Sequence, residues 1–257
     1  MSATLEAPKA THRIVSKSEW LTARKALLAR EKELTHLRDQ LAADRQQLPW
    51  VKIEKAYQFD APCGPCYLSD LFADKSQLLV YHFMFGPDWA EGCPSCSMVA
   101  DHLNGLALHL TQRDISLVMV SRAPVEKIEA FKKRLGWTIP WVSSGNTDFN
   151  QDFAVSFTEE QLGGAKVYNY NTSSFPKTEA PGLSAFAKDG NTVYHTYSTY
   201  GRGLEDLLGV YKLLDMAPKG RDEASLPWPM AWVRYNDSYP KNHTTVDVAN
   251  KSGCACH

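Results

Sequence analysis

What most limits the fold of this chain is an order of elements: an apolar run, then two cysteines, then a helix-forming stretch. Leu78 to Phe85 (Leu-Leu-Val-Tyr-His-Phe-Met-Phe) reads as a strand buried on both faces, and Ser97 to Leu110 reads as a helix. Between them, Cys93 and Cys96 stand in Gly-Cys-Pro-Ser-Cys. Pro94 then takes the first helical position, where its missing N–H costs nothing. A second strand, Ile115 to Val120, and a second helix, Val125 to Leu135, continue the alternation. A β-α-β-α order implies parallel strands joined by right-handed crossovers.

Further along, the segments from Pro181 to Ala187 and from Thr192 to Tyr197 read as strands around a turn at Lys188-Asp189-Gly190-Asn191. Leu204 to Leu214 reads as a closing helix. The full order, β-α-β-α-β-β-α, is the thioredoxin arrangement, so the expected class is α/β with a thioredoxin-like domain over residues 51–216. Ahead of it, residues 1–50 form an N-terminal helical extension. Ser16 and Glu19 have capping-box spacing, apolar residues recur at Trp20, Ala23, Leu27, Leu34, Leu37 and Leu41, and Pro49 ends the helix. Such a helix packs on its own domain or on a second subunit, which makes a homodimer through it an expected partnership. Trp50 to Phe72 reads as short strands and turns, and residues 217–257, rich in Pro, Trp and Tyr, as an irregular tail.

Charge and composition exclude several functions. A formal charge of -1 over 257 residues offers no attraction to nucleic acid or to an anionic membrane. No apolar stretch reaches the roughly 20 residues of a membrane span, and Met1 to Ala10 lack a signal-peptide core. The expected location is cytoplasmic. Six cysteines there do not form a disulfide scaffold. They fall in three close pairs, Cys63/Cys66, Cys93/Cys96 and Cys254/Cys256.

A cysteine at a helix start faces unpaired N–H groups and a partial positive charge, which favour its thiolate. Cys93 is therefore the expected nucleophile of thiol–disulfide exchange, with Cys96 as the resolving thiol. The plainer reading is a metal half-site or two inert thiols. Pro181 stands where a thioredoxin fold places a cis-proline against the substrate disulfide, although an ordinary trans proline at a strand start fits equally. Arg122 follows the second strand, at the sheet edge where ligands of open α/β folds bind. It either approaches the thiolate or forms an ion pair. His82 reads as a core histidine, and Asp88 and Trp89 as pocket wall. Asp101 and His102 belong either to the surface or to the site. Cys63-Gly-Pro-Cys66 is a thioredoxin-type tetrapeptide that precedes a strand instead of following one. It either relays electrons to Cys93/Cys96 or binds metal. Together Cys63, Cys66, Cys254, Cys256 and His257 make five soft ligands suited to copper or zinc, against the reading of a tail with no fixed partner. The rival function is accordingly a copper- or zinc-dependent protein, enzyme or carrier. No glycine-rich phosphate loop signals an organic cofactor.

Tyr-His-Phe-Met-Phe-Gly-Pro-Asp-Trp (81–89), Gly-Cys-Pro-Ser-Cys (92–96), Ser-Arg-Ala-Pro (121–124), Gly-Trp-x-x-Pro-Trp-Val-Ser-Ser (136–144) and Asp-Phe-Asn-x-Asp-Phe (148–153) occur in order. With the Trp20-to-Pro49 helix, and as far as about Leu214, the chain resembles a bacterial and fungal thioredoxin-like family of largely unassigned function. Its members are often labelled predicted dithiol-disulfide oxidoreductases. The resemblance implies a thiol or disulfide substrate, protein or small molecule, and exchange without a cofactor. Two cysteines at 63 and 66, where the family usually has a glycine-containing turn, depart from it, as does the Cys-x-Cys-His end. Peroxiredoxins place Thr or Ser three residues before the reactive cysteine, and here that residue is Ala90.

Overall fold

The computed structural model describes residues 12–162, 164 and 166–240. Cys254, Cys256 and His257 lie outside the described residues. Eight strands form one sheet, in the order β1-β8-β7-β4-β5-β6-β2-β3. They are β1 (Val51–Lys52), β2 (Gln58–Ala61), β3 (Gly64–Tyr67), β4 (Gln77–His82), β5 (Ile115–Ser121), β6 (Trp141–Ser143), β7 (Gly182–Asp189) and β8 (Thr192–Tyr200). The helices are α1 (Lys17–Gln46), α2 (Pro94–Thr111), α3 (Val125–Leu135), α4 (Phe149–Asp152) and α5 (Gly209–Met216). Strands β4, β5 and β6 run parallel, while β7 and β8 add antiparallel beside β4. The order β8-β7-β4-β5, with α2 crossing from β4 to β5 and α5 closing the chain, makes this a thioredoxin-like fold.

Side-chain alternation explains why β4 and β5 are almost wholly apolar. On one face, Tyr81, Leu117 and Met119 join Phe131, Trp137 and Trp141 beneath α2, α3 and α5. On the other, Leu78, Val80, Val118 and Val120 join Phe59, Phe72, Phe149 and Phe186. A strand covered on both sides cannot alternate apolar with polar. The β7–β8 turn falls at Gly190-Asn191 as the sequence requires, with Gly190 at φ 54 and Asp189 paired to Thr192. β6 was not foreseen. The expected closing helix is instead a 3-10 turn, Gly201–Leu207, followed by α5, because Leu208 (φ -104, ψ 79) leaves helical geometry.

The flanks add two points to the expected plan. α1 has its Ser16/Glu19 capping box and touches the domain through Arg45, 5.4 Å from the centre of the Tyr197 ring, but buries no residue there. The segment 217–240 has no regular elements, as expected of an irregular tail, yet it is built into the domain. Val233 is buried in the core under α2 and α3, Tyr235 Oη donates to the Gly92 carbonyl at 2.7 Å, and Arg134 pairs with Asp237. Among the described residues, no helix is long and apolar enough to cross a membrane.

The close approach at Gly92 yields a stability test. A Cβ there would stand 2.6 Å from the Phe83 ring and 3.0 Å from that of Phe131. Gly92→Ala should lower unfolding free energy by about 1–3 kcal/mol, the usual range for overpacking, seen as a lower denaturant midpoint with unchanged slope. A wild-type midpoint would mean that the loop before Cys93 is not clamped.

Candidate active site

Cys93 is the N-cap of α2 and Pro94 its first helical residue. The Cys93 N–H donates to the Met84 carbonyl at 3.0 Å, which ties the helix start to the end of β4. The Cys93 carbonyl accepts from the Ser97 N–H at 2.9 Å and from Ser97 Oγ at 3.0 Å. Lys127 Nζ donates to the carbonyls of Pro87 and Trp89, and Tyr235 holds Gly92. The 86–92 loop is thus anchored at Pro87, Trp89 and Gly92, just ahead of Cys93.

The two thiols are electrostatically unlike. Cys93 is half-buried and its pKa falls to about 6. The largest cause is the hydrogen bond donated by the Cys96 thiol. Burial opposes it, and the backbone N–H groups of Cys96 and Ser95 and the charge of Lys177 assist. Cys96 is only 2% exposed, and burial pushes its thiol well above the ordinary value, with the bond to Cys93 adding to the rise. Behind it, the buried Tyr81 hydroxyl donates to the Cys96 sulfur. Tyr81 and Cys96 thus stand as buried electrostatic neighbours behind Cys93. Lys177 Nζ sits 5.6 Å from the centre of the Trp89 ring, so the cation is held over the wall of the site. Both thiols are unbridged. Tyr81 was read only as part of an apolar strand, and no spacing rule links it or Lys177 to Cys93.

The other sequence candidates lie elsewhere. The bond before Pro181 is trans, since the described residues contain no cis peptide, and this corrects the cis alternative. The preceding residues are held extended by the Ser156↔Glu179 bridge and by the Ala180 N–H donating to the Val155 carbonyl at 2.8 Å. Pro181 is half-buried and its carbonyl accepts from Tyr168 Oη. Arg122 takes the ion-pair alternative, with Nη1 3.1 Å from Oε1 of the buried Glu179. Ser156 Oγ donates to the other carboxylate oxygen at 2.5 Å. Burial still raises the Glu179 carboxyl above its ordinary range. Arg122 also lines a cavity of about 440 Å³ with Pro87, Asp60 and Asn146.

His82 is a core residue: Nε2 bonds Ser184 Oγ at 2.8 Å, and burial lowers its pKa to about 3, so the ring is neutral. His102 accepts the Val210 N–H and is structural, as is Asp101, which accepts from Trp137 Nε1. Asp88 is exposed and Trp89 half-buried against Gly86.

The second tetrapeptide lies in the β2–β3 hairpin. Cys63 occupies its turn, and Cys66 faces Phe59 across the ladder. The pair spans a turn and a strand, so neither thiol has the helix N-terminus that Cys93 has. Burial and the nearby Asp70 push the Cys66 thiol up, the reverse of activation. Among the described residues, no three Cys, His, Asp or Glu side chains converge to hold a metal. Three of the five expected copper or zinc ligands, Cys254, Cys256 and His257, are outside that description.

Residues 9–239 match the family described as "Bacterial protein of unknown function (DUF899)". Among curated proteins, none matches the chain significantly. Among solved structures, the chain is similar to Xylella fastidiosa PrxQ in a cysteine-to-serine mutant, at 15% identity and TM-score 0.42, over 65% of this chain and 94% of that one. It is similar to the peroxidoxin BcpB of Mycobacterium tuberculosis, at 14% identity and TM-score 0.45, over 65% and 97%. It is also similar to the Plasmodium yoelii thioredoxin peroxidase I, at 18% identity and TM-score 0.40, over 71% and 96%. The fold assignment rests on strand order and connections, and these distant likenesses add nothing to the chemistry.

The charge arrangement makes a measurable statement. Alkylation of Cys93 by iodoacetamide should rise with pH to a half-maximum near 6, because the thiolate is the reacting form. In Lys177→Met the half-maximum should move up by less than about one unit, since one of several stabilising contacts is removed. A half-maximum near the free-thiol value of about 8.5 in wild type would contradict the arrangement.

Proposed function

The chain belongs to the DUF899 family, whose function is unknown, and from its site we propose that it is a thiol–disulfide oxidoreductase with Cys93 as nucleophile and Cys96 as resolving thiol. One observation carries the reading: Cys93 caps the N-terminus of α2 while Cys96 is buried inside its first turn, which lowers the first thiol and raises the second. Two thiols of equal acidity would have no fixed order of attack, whereas this pair has one.

The Cys93 thiolate attacks one sulfur of a substrate disulfide. A Cys93–substrate bond forms, the substrate S–S bond breaks, and the departing thiolate takes a proton from solvent. Consuming the Cys93 charge removes a contact that kept Cys96 protonated. The Tyr81 hydroxyl, still donating to Cys96, favours its thiolate as that proton leaves. Cys96 then attacks Cys93, the mixed disulfide breaks, and the second substrate thiol is released. Two electrons have passed to the substrate, and a Cys93–Cys96 disulfide remains for an external dithiol to reduce. The same exchange runs in reverse when the partner is a dithiol. Stabilising the Cys93 thiolate stabilises the reduced pair and so raises its potential toward oxidising behaviour. Among the described residues no three ligating side chains converge, so no observation favours the copper or zinc alternative over this reading.

Cys93→Ser should abolish disulfide reduction, while Cys96→Ser should accumulate a covalent adduct with the substrate, visible as a mass increase that dithiothreitol removes. Full activity in Cys93→Ser would move the chemistry to another thiol pair.

A further inference from the structure

α1 is a 30-residue helix, about 45 Å long at 1.5 Å per residue, and it buries none of its own side chains. An isolated helix of this kind gains little from propensity alone, so most of its stability must come from a packed apolar face. Trp20, Leu27, Leu34 and Leu41 follow one another along α1 at a strict seven-residue step, and Leu48 continues the step just past the helix end. Each is between 43% and 56% exposed. Leu37, at 60%, lies on the same side. A strict heptad tracks one line only if the helix supercoils left-handedly around another.

We propose that α1 pairs with α1 of a second copy of this chain as a parallel, in-register two-stranded coiled coil. The choice of occupant and direction comes from charge. With the Trp20–Leu48 series at position a of the heptad, the g positions hold Glu19, Ala26, Glu33 and Gln40, and the e positions hold Arg24, Glu31, Arg38 and Arg45. In a parallel pair, each g side chain meets the e side chain five residues later on the other helix. That sets Glu19 against Arg24 and Glu33 against Arg38, twice each by symmetry, and on the flanks sets no like charges together; like charges meet only at position d, where Arg30 and Asp44 face their own copies. An antiparallel pair with Leu34 packed against Leu37 would bring Arg24 near Arg45 on both sides, which offsets its two Glu31–Arg38 attractions. The helix is therefore complementary to a parallel copy of itself. Arg30 and Asp44 fall at position d and weaken the seam, so the association is reversible. Arg24 and Glu31, paired at 2.8 Å, brace the flank within one helix.

Sedimentation equilibrium of the full-length protein tests this with two variants. Wild type should be a dimer, and Leu34→Glu a monomer that loses far-ultraviolet helical signal by no more than the share of the 30 residues of α1, with unchanged Cys93 alkylation, since α1 carries no core packing. Glu33→Arg should raise the dissociation constant roughly tenfold by turning attraction into repulsion at both symmetric contacts. Adding Arg38→Glu to it should restore the dimer. A monomeric wild type would overturn the proposal and leave the stripe to a different partner. A Leu34→Glu protein that is still dimeric would place the interface elsewhere. A Glu33→Arg effect that Arg38→Glu worsens would contradict the parallel direction.

Discussion

One backbone hydrogen bond, Cys93 N–H to the Met84 carbonyl at 3.0 Å, joins the end of the central strand to the start of α2. Without it, the 86–92 loop would leave Cys93 free to swing away from the helix axis, and the N–H groups of Ser95 and Cys96 would point at nothing. The neighbouring packing serves the same join. Ser121 Oγ donates to the Phe83 carbonyl and accepts from Trp141 Nε1, locking β4, β5 and β6 at the edge from which the loop departs. The segment 217–240, irregular as it is, returns Tyr235 to the Gly92 carbonyl and closes the loop from outside.

The chemistry depends on an asymmetry that burial creates. Both sulfurs lie among apolar side chains, and desolvation alone would raise both pKa values. Only Cys93 has enough donors to reverse the effect, because it stands at the helix end while Cys96 is one turn inside. Cys96 becomes one of those donors. Each thiol thus holds the other in its protonation state, and Tyr81 sits where the balance must shift once Cys93 has reacted.

The strands and helices from Leu78 to Leu135 were legible because doubly covered parallel strands carry continuous apolar runs and the helices carry their own periodicity. β6 was missed because three residues, Trp141 to Ser143, are too few to show a period, and their strand identity comes from pairing with β5 and β2. Cys93 and Cys96 were legible because helix capping is local. Lys177 and Tyr81 were not, because their roles arise from long-range packing that puts a connection beside Trp89 and a strand residue under α2. Arg122 was legible as a charged residue at a strand end, but its partner Glu179 comes from far along the chain. The Cys-Gly-Pro-Cys motif at 63–66, set apart in the sequence because it precedes a strand, lies in the β2–β3 hairpin and not at a helix start.

The most direct test is a map of thiols and disulfides by mass spectrometry, with the protein equilibrated across a series of oxidised and reduced glutathione mixtures. The account predicts one reversible disulfide, Cys93–Cys96, formed in a single two-electron step while Cys63 and Cys66 stay alkylatable. Oxidation that engages Cys63 or Cys66 first, or a Cys93–Cys96 bond that forms in no mixture, would contradict it.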